Sequence, residues 1–220
     1  MTLTSAQGPL GPHPAGRFEP PLPGPFTYVE PYLRRIRAVV GERTVIDTER
    51  AVFVHRPGLP PRWAFPAADV HVDGRPEPAA PGFVTVAWDA VDRWFEEGQE
   101  VVDHPRNPYH RVDCLPTTRR LTVELDGTTL VDTDDTVGVW ETSLPPRLYV
   151  ARAHVRLDLL RRSDTRTYCP YKGWCSYFHA GSADDVAWSY EDPLAESAPI
   201  AGLLAFDPTK ATVRQHLPQS

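Results

Sequence analysis

RRIRAVVGERTVIDTERAVFVHRPGLPPRWAFPAADV, Arg34 to Val70, returns 85 positions later as RRLTVELDGTTLVDTDDTVGVWETSLPPRLYVARAHV, Arg119 to Val155. The two align without a gap. They share both leading arginines, Asp47-Thr48 with Asp132-Thr133, and Leu59-Pro60-Pro61-Arg62 with Leu144-Pro145-Pro146-Arg147. Self-similarity at a fixed offset marks a tandem duplication. In the second copy LTVEL alternates apolar and polar residues, Asp126-Gly127 supplies a two-residue hairpin turn, TTLVDT returns, and TVGVWET and RLYVA follow. Each copy therefore reads as an antiparallel β meander.

Working outward, FVTVAW, EVVD, YHRVDCL, CSYFHA, DVAWSY, IAGLLAF and ATVRQHL add short strand candidates, and WDAVDRWFEEG (Trp88 to Gly98) carries apolar residues at helical spacing. The expected class is mainly β: two tandem antiparallel meanders forming compact barrel- or tent-like halves, with one short helix. Residues 1–26 hold seven of the 25 prolines and few large apolar residues, which reads as a flexible tail. The first repeat is expected over 27–118 and the second over 119–220.

A chain of 220 residues buries roughly 70% of its unfolded surface and needs neither metal nor disulfide to be stable. Net charge is -6 and the basic residues are scattered, which points away from a nucleic-acid partner. No run of apolar residues is long enough to span a membrane and no secretory start is seen, so a cytosolic, membrane-free protein is expected. Three cysteines, Cys114, Cys169 and Cys175, suit reduced thiols better than a disulfide framework, and they lack the paired spacings of a zinc site. No metal and no cofactor are expected. Because the duplication supplies both halves in one chain, a monomer is expected.

The chemistry-bearing stretch is TYCPYKGWCSY, Thr167 to Tyr177. With SDTRTYCPYKGWCSYF and VAWSYEDPLAESAPIAGLLAF, the chain resembles the bacterial domain-of-unknown-function family four-two-seven, catalogued under a nucleotidyltransferase-like label. The resemblance covers Arg119 to Leu217 nearly completely, and the first half resembles a degenerate leading copy through VDHPRNPYHRVDCL. It implies a compact β fold of the tent or barrel type. At Cys175 the family usually carries alanine. The nucleotidyltransferase label finds no support in the residues: DTDD (Asp132 to Asp135) sits at a hairpin end, and no glycine loop cradles a phosphate.

Lys172 is the leading candidate. Burial of an amine in a tight turn disfavours its charged form and makes it usable as an acid, base or imine-forming group, whereas a lysine reaching out of a turn carries little packing. Cys169 is either a nucleophile or a small packed hydrophobe. His110 suits a proton shuttle and Arg111 an anion anchor, with Tyr109, Asp113 and His104 in the same cluster. Tyr171, Trp174, Tyr177, Trp188 and Tyr190 are expected as core and pocket wall, and Asp185 and Asp192 as turn residues. The leading expectation is a cofactor-independent enzyme acting on a small carbonyl- or carboxylate-bearing metabolite in a pocket between the repeats, with Lys172 and His110 catalytic. The rivals are a non-catalytic small-molecule binding or interaction module, and a hydrolase that uses Cys169.

Overall fold

The computed structural model describes residues 26–216 continuously, with 10–13, 16, 17, 19, 21 and 24. The expected tail over 1–26 lies for the most part outside the described residues. The chain forms two units, Met1–His110 with Thr142–Leu144, and Arg111–Glu141 with Pro145–Ser220. Both are built from antiparallel β-strands.

The first unit holds β1 (Tyr28–Pro31), β2 (Ile36–Val40), β3 (Arg43–Thr48), β4 (Val52–His55), β5 (Arg62–Pro66), β6 (Arg75–Pro76), β7 (Phe83–Thr85), β8 (Arg93–Glu96) and β9 (Gln99–Val101). They form a sheet ordered β1-β4-β5-β7-β6 and a second ordered β3-β2-β8-β9. The second unit holds β10 (Val112–Thr117), β11 (Arg120–Leu125), β12 (Thr128–Thr133), β13 (Thr136–Glu141), β14 (Arg147–Val150), β15 (Leu160–Cys169), β16 (Gly173–Ala180), β17 (Ala183–Ser189), β18 (Leu204–Phe206) and β19 (Thr212–His216). Their orders are β10-β13-β14-β18-β17-β16-β15 and β12-β11-β19.

The duplication is kept residue for residue in the pairing. Ile36 faces Thr48 as Leu121 faces Thr133, and Val52 faces Ala64 as Val137 faces Tyr149. The β-bulge at Ala38/Val39 recurs at Val123/Glu124, and the isolated bridge Ile46 to Val70 recurs as Val131 to Val155. Even the surface repeats: Arg35 grips Asp47 with two hydrogen bonds of 2.6 Å, and Arg120 grips Asp132 with bonds of 2.6 and 2.7 Å.

Two sequence readings are corrected by this register. Val112–Thr117 pairs with β13 as β1 pairs with β4, Asp113 facing Trp140 where Tyr28 faces His55. The strand in YHRVDCL thus opens the second copy and does not close the first, and the division between units falls at His110 and Arg111. Trp88–Gly98 is not a helix. Trp88–Ala90 makes one 3-10 turn, Val91 is extended, and Arg93–Glu96 pairs along β2. The helical spacing of Trp88, Val91, Trp94 and Phe95 is overridden because β2 offers an open edge, and tertiary pairing outweighs a short local pattern. Trp94 and Glu96 then turn inward, while Phe95 lies beneath Arg37 and Arg93 with ring distances of 4.5 and 4.8 Å.

The cores correspond as well. Ile36, Ala38, Val45, Ile46 and Phe65 in the first unit occupy the places of Leu121, Val123, Leu130, Val131 and Val150 in the second. The seven-stranded sheet also buries its other face, through Val112, Val139, Tyr149, Tyr171, Cys175, Tyr190 and Ile200. Because Ile36 and Leu121 are equivalent and essentially fully buried, Ile36→Ala and Leu121→Ala should each destabilise the unit that carries it by about 2–5 kcal/mol in chemical denaturation. A loss at either site too small to resolve would contradict the shared-core assignment.

Candidate functional site

TYCPYKGWCSY is a hairpin. Thr167, Tyr168 and Cys169 end β15, Gly173 to Tyr177 run into β16, and Cys169 faces Gly173 across the ladder. The corner Pro170-Tyr171-Lys172 is closed by the Lys172 N–H donating to the Cys169 carbonyl at 3.2 Å. Gly173 has φ 95°, a conformation that side chains with a Cβ disfavour. The next layer locks the corner: Leu194 N–H donates to the Lys172 carbonyl at 3.1 Å, and the Ser197 hydroxyl to that of Tyr171 at 3.4 Å.

Pinned this way, Lys172 does not reach into solvent. Its side chain is 9% exposed, and its Nζ forms an ion pair and hydrogen bond with Glu141, itself 10% exposed, at the end of β13. The ammonium lies 5.8 Å from the centre of the Tyr190 ring. A strand end and a hairpin corner thus place opposite charges together inside the second face of the sheet.

The surroundings are apolar and contain all three thiols. Cys175 is buried, and Cys114 and Cys169 are half-buried against the same cluster. Burial pushes the Cys175 thiol up to about 11. Burial also raises Cys114, outweighing the field of Lys172. These two thiols are held protonated at neutral pH, which suits packing. Burial raises the phenols of Tyr149 and Tyr190 as well, and Tyr149 accepts a 2.9 Å hydrogen bond from the Trp188 indole.

The other residues singled out from sequence divide into three groups. Tyr171, Tyr177 and Trp188 belong to the cluster around Lys172, with the Tyr177 hydroxyl 2.9 Å from that of Thr167. Trp174 does not: it is exposed on β16, edge-on to Tyr168 at 5.2 Å and beneath Arg166 at 4.9 Å. Arg111, largely exposed, pairs with Asp113 at 2.7 Å where β10 begins, and neighbouring Val112 lies opposite Glu141 in the ladder. His110 and Tyr109 fall in the first unit. His110 is buried, and its N–H donates to the Asn107 carbonyl at 3.1 Å. Tyr109 donates to Glu30 at 2.5 Å, and the other oxygen of Glu30 meets buried His55 at 2.8 Å.

Glu141 escaped the sequence reading, whereas the burial of Lys172 was one of its two alternatives. Two signals pointed there. Only two of the 23 basic residues are lysines, Lys172 and Lys210. Glu141 also stands 85 positions after Arg56, so the repeat inverts charge at that place. Among the described residues no group of three or more His, Cys, Asp or Glu is placed to hold a metal ion, and no helix is long and apolar enough to cross a membrane.

Removing one member of a buried pair strands the other charge and costs about 3–5 kcal/mol, whereas replacing both with apolar groups is close to neutral. Lys172→Met should therefore destabilise the protein by that amount, unlike a solvent-facing turn lysine, and Lys172→Met/Glu141→Leu should recover most of the loss in denaturant titrations. Equal stability of wild type and Lys172→Met would show that the pair is not closed in solution. For Cys175, the folded thiol titrates above its ordinary 9.0, near about 11. The unfolded chain therefore loses this proton first, and stability falls as pH rises from about 9 to about 11. Cys175→Ala should flatten that part of the stability profile relative to wild type; an unchanged slope would remove the thiol as its source.

The family described as Domain of unknown function (DUF427) matches residues 28–79 and 113–216. The two matched segments begin at equivalent places, the first residue of β1 and its counterpart in β10, 85 apart. No curated protein matches the chain.

Proposed function

The chain belongs to the DUF427 family with two repeat-like parts, and on that premise we propose that it is a cofactor-independent enzyme for a small carbonyl- or carboxylate-bearing metabolite. Lys172 and Glu141 of the second unit are its proton-transfer pair. The observation that carries this reading is the burial of Lys172 against Glu141 in a chain that uses arginine at almost every other basic position. Arginine stays protonated in proteins, so it cannot serve as a base or form an imine; lysine can do both. An apolar pair would pack the same space with less desolvation cost, and retaining the charges suits proton exchange between amine and carboxylate. When the proton passes from Nζ to Glu141, the neutral amine is free to attack a carbonyl carbon or to take a proton from the carbon beside it. Arg111, one residue before the strand position opposite Glu141, is suited to hold the substrate's carboxylate.

Both routes labilise the hydrogen on the carbon next to the carbonyl. Incubation with pyruvate, 2-oxobutyrate or acetaldehyde in D2O, followed by NMR, should show exchange faster than buffer. The exchange should be lost in Lys172→Met/Glu141→Leu, the variant that keeps the fold. Cyanoborohydride trapping should then locate any imine by mass spectrometry, with the surface residue Lys210 as the internal control. Exchange no faster than buffer across the set, or undiminished in the double variant, would overturn the proposal.

A further inference from the structure

The first unit carries a cavity of about 600 Å³ lined by residues that none of the chemistry above uses. Its floor is aromatic: Trp63, Phe65, Trp88 and Trp94. Trp63, Phe65 and Trp94 are buried core residues, and Trp88, on the 3-10 turn before β8, is only partly covered. The rings are stacked. Trp88 and Trp94 lie 5.2 Å apart at 19°, and Phe65 and Trp94 lie 5.9 Å apart at 16°. Trp63 leans on Trp88 at 6.1 Å and 32°. Buried Trp94 and Phe65 thus back Trp88, the partly uncovered end of the stack, which a flat ligand can extend, whereas a cage for an alkylammonium needs rings standing around it.

The rim supplies the polar part. Arg62 at the start of β5, Arg75 at the start of β6, Asp73 and Asp103 all line the cavity and are exposed. None of these four enters an ion pair among the described residues. Two guanidiniums and two carboxylates cancel in charge but offer donors and acceptors at the edge of the floor.

We propose that this cavity binds a planar bicyclic heteroaromatic ring of nucleobase type, carrying no net charge and bearing both donor and acceptor groups at its edge. The volume lies within the range of small-molecule sites. Stacking on the tryptophan floor supplies affinity without sequence of contacts being fixed, and the mixed rim selects rings with complementary edges over plain hydrocarbons. The site lies wholly in the first unit and is independent of the Lys172 chemistry.

The test is titration of the full chain with adenosine, guanosine, AMP, 2-naphthoate and phenyltrimethylammonium, followed by tryptophan fluorescence and calorimetry. Adenosine or guanosine should bind saturably at one site per chain, and AMP no tighter than adenosine because the rim is charge-balanced. Trp88→Leu should weaken binding by about tenfold or more. Only the Trp88 carbonyl holds the Trp94 indole, at 3.0 Å, so that support survives the substitution. Asp73→Asn/Arg75→Gln, confined to exposed side chains, should weaken nucleoside binding while leaving 2-naphthoate unchanged. Tightest binding of the quaternary ammonium, binding indifferent to both variants, or no saturable binding of either nucleoside would each overturn the assignment.

Discussion

A hairpin with one open edge has to be covered, and that requirement organises both halves of this protein. β2 and β11 each pair with their hairpin partner on one side and present unsatisfied backbone groups on the other. The chain meets the need in the same register twice: Val39 of β2 faces Arg93 of β8, and the equivalent Glu124 of β11 faces Thr212 of β19. Between the shared meander and this returning strand the path is unconstrained by the edge. In the first unit that path runs from Ala67 to Asp92 and yields the short β6 and β7; in the second it runs from Ala151 to Ala211 and yields the long hairpins of β15, β16 and β17. Both candidate sites draw on these free paths, the Trp88 floor on one and Lys172 on the other.

The same constraint explains what could be read from sequence. The meanders were legible because their alternation and the Asp126-Gly127 turn act locally, and the 85-residue offset extended one reading to the other. The returning strands were not. RWFE follows a tryptophan and a valine at helical spacing, and only the distant edge of β2 makes it a strand. The boundary at His110 was missed for a related reason. β1 and β10 share almost no residue identities, so their equivalence appears only in the partners they face across the ladder.

Within the site, residue type and the turn were legible and the distant partners were not. The lysine-bearing corner stood out by composition, but its burial depends on Leu194 and Ser197 closing over the turn from a later segment, and its counterion comes from a strand end 31 positions earlier. The tryptophan at Trp174 shows the converse. It lies in the same eleven-residue stretch, yet strand alternation sends it to the opposite side from Cys175, into contact with Arg166 and Tyr168.

The repeat also offers an internal comparison for the buried charge. Position 56 and its equivalent 141 both follow directly on the third meander strand's shared register, and both hold a charge whose counterion comes from the divergent path. Arg56 meets Glu77 at 2.5 Å, and Glu141 meets Lys172. Polarity is exchanged between the units. Glu77 is kept below the usual carboxylate range despite its burial, because the Ala79 N–H and Arg56 both stabilise its charge. With a guanidinium as partner the cation of that pair stays charged, and the pair ties the residue after β4 to the residue after β6. In the second unit the cation is an amine at a turn and the carboxylate is on the strand. One ancestral position thus anchors an ion pair in each half with the charges reversed, and the second draws on lysine where the first draws on arginine.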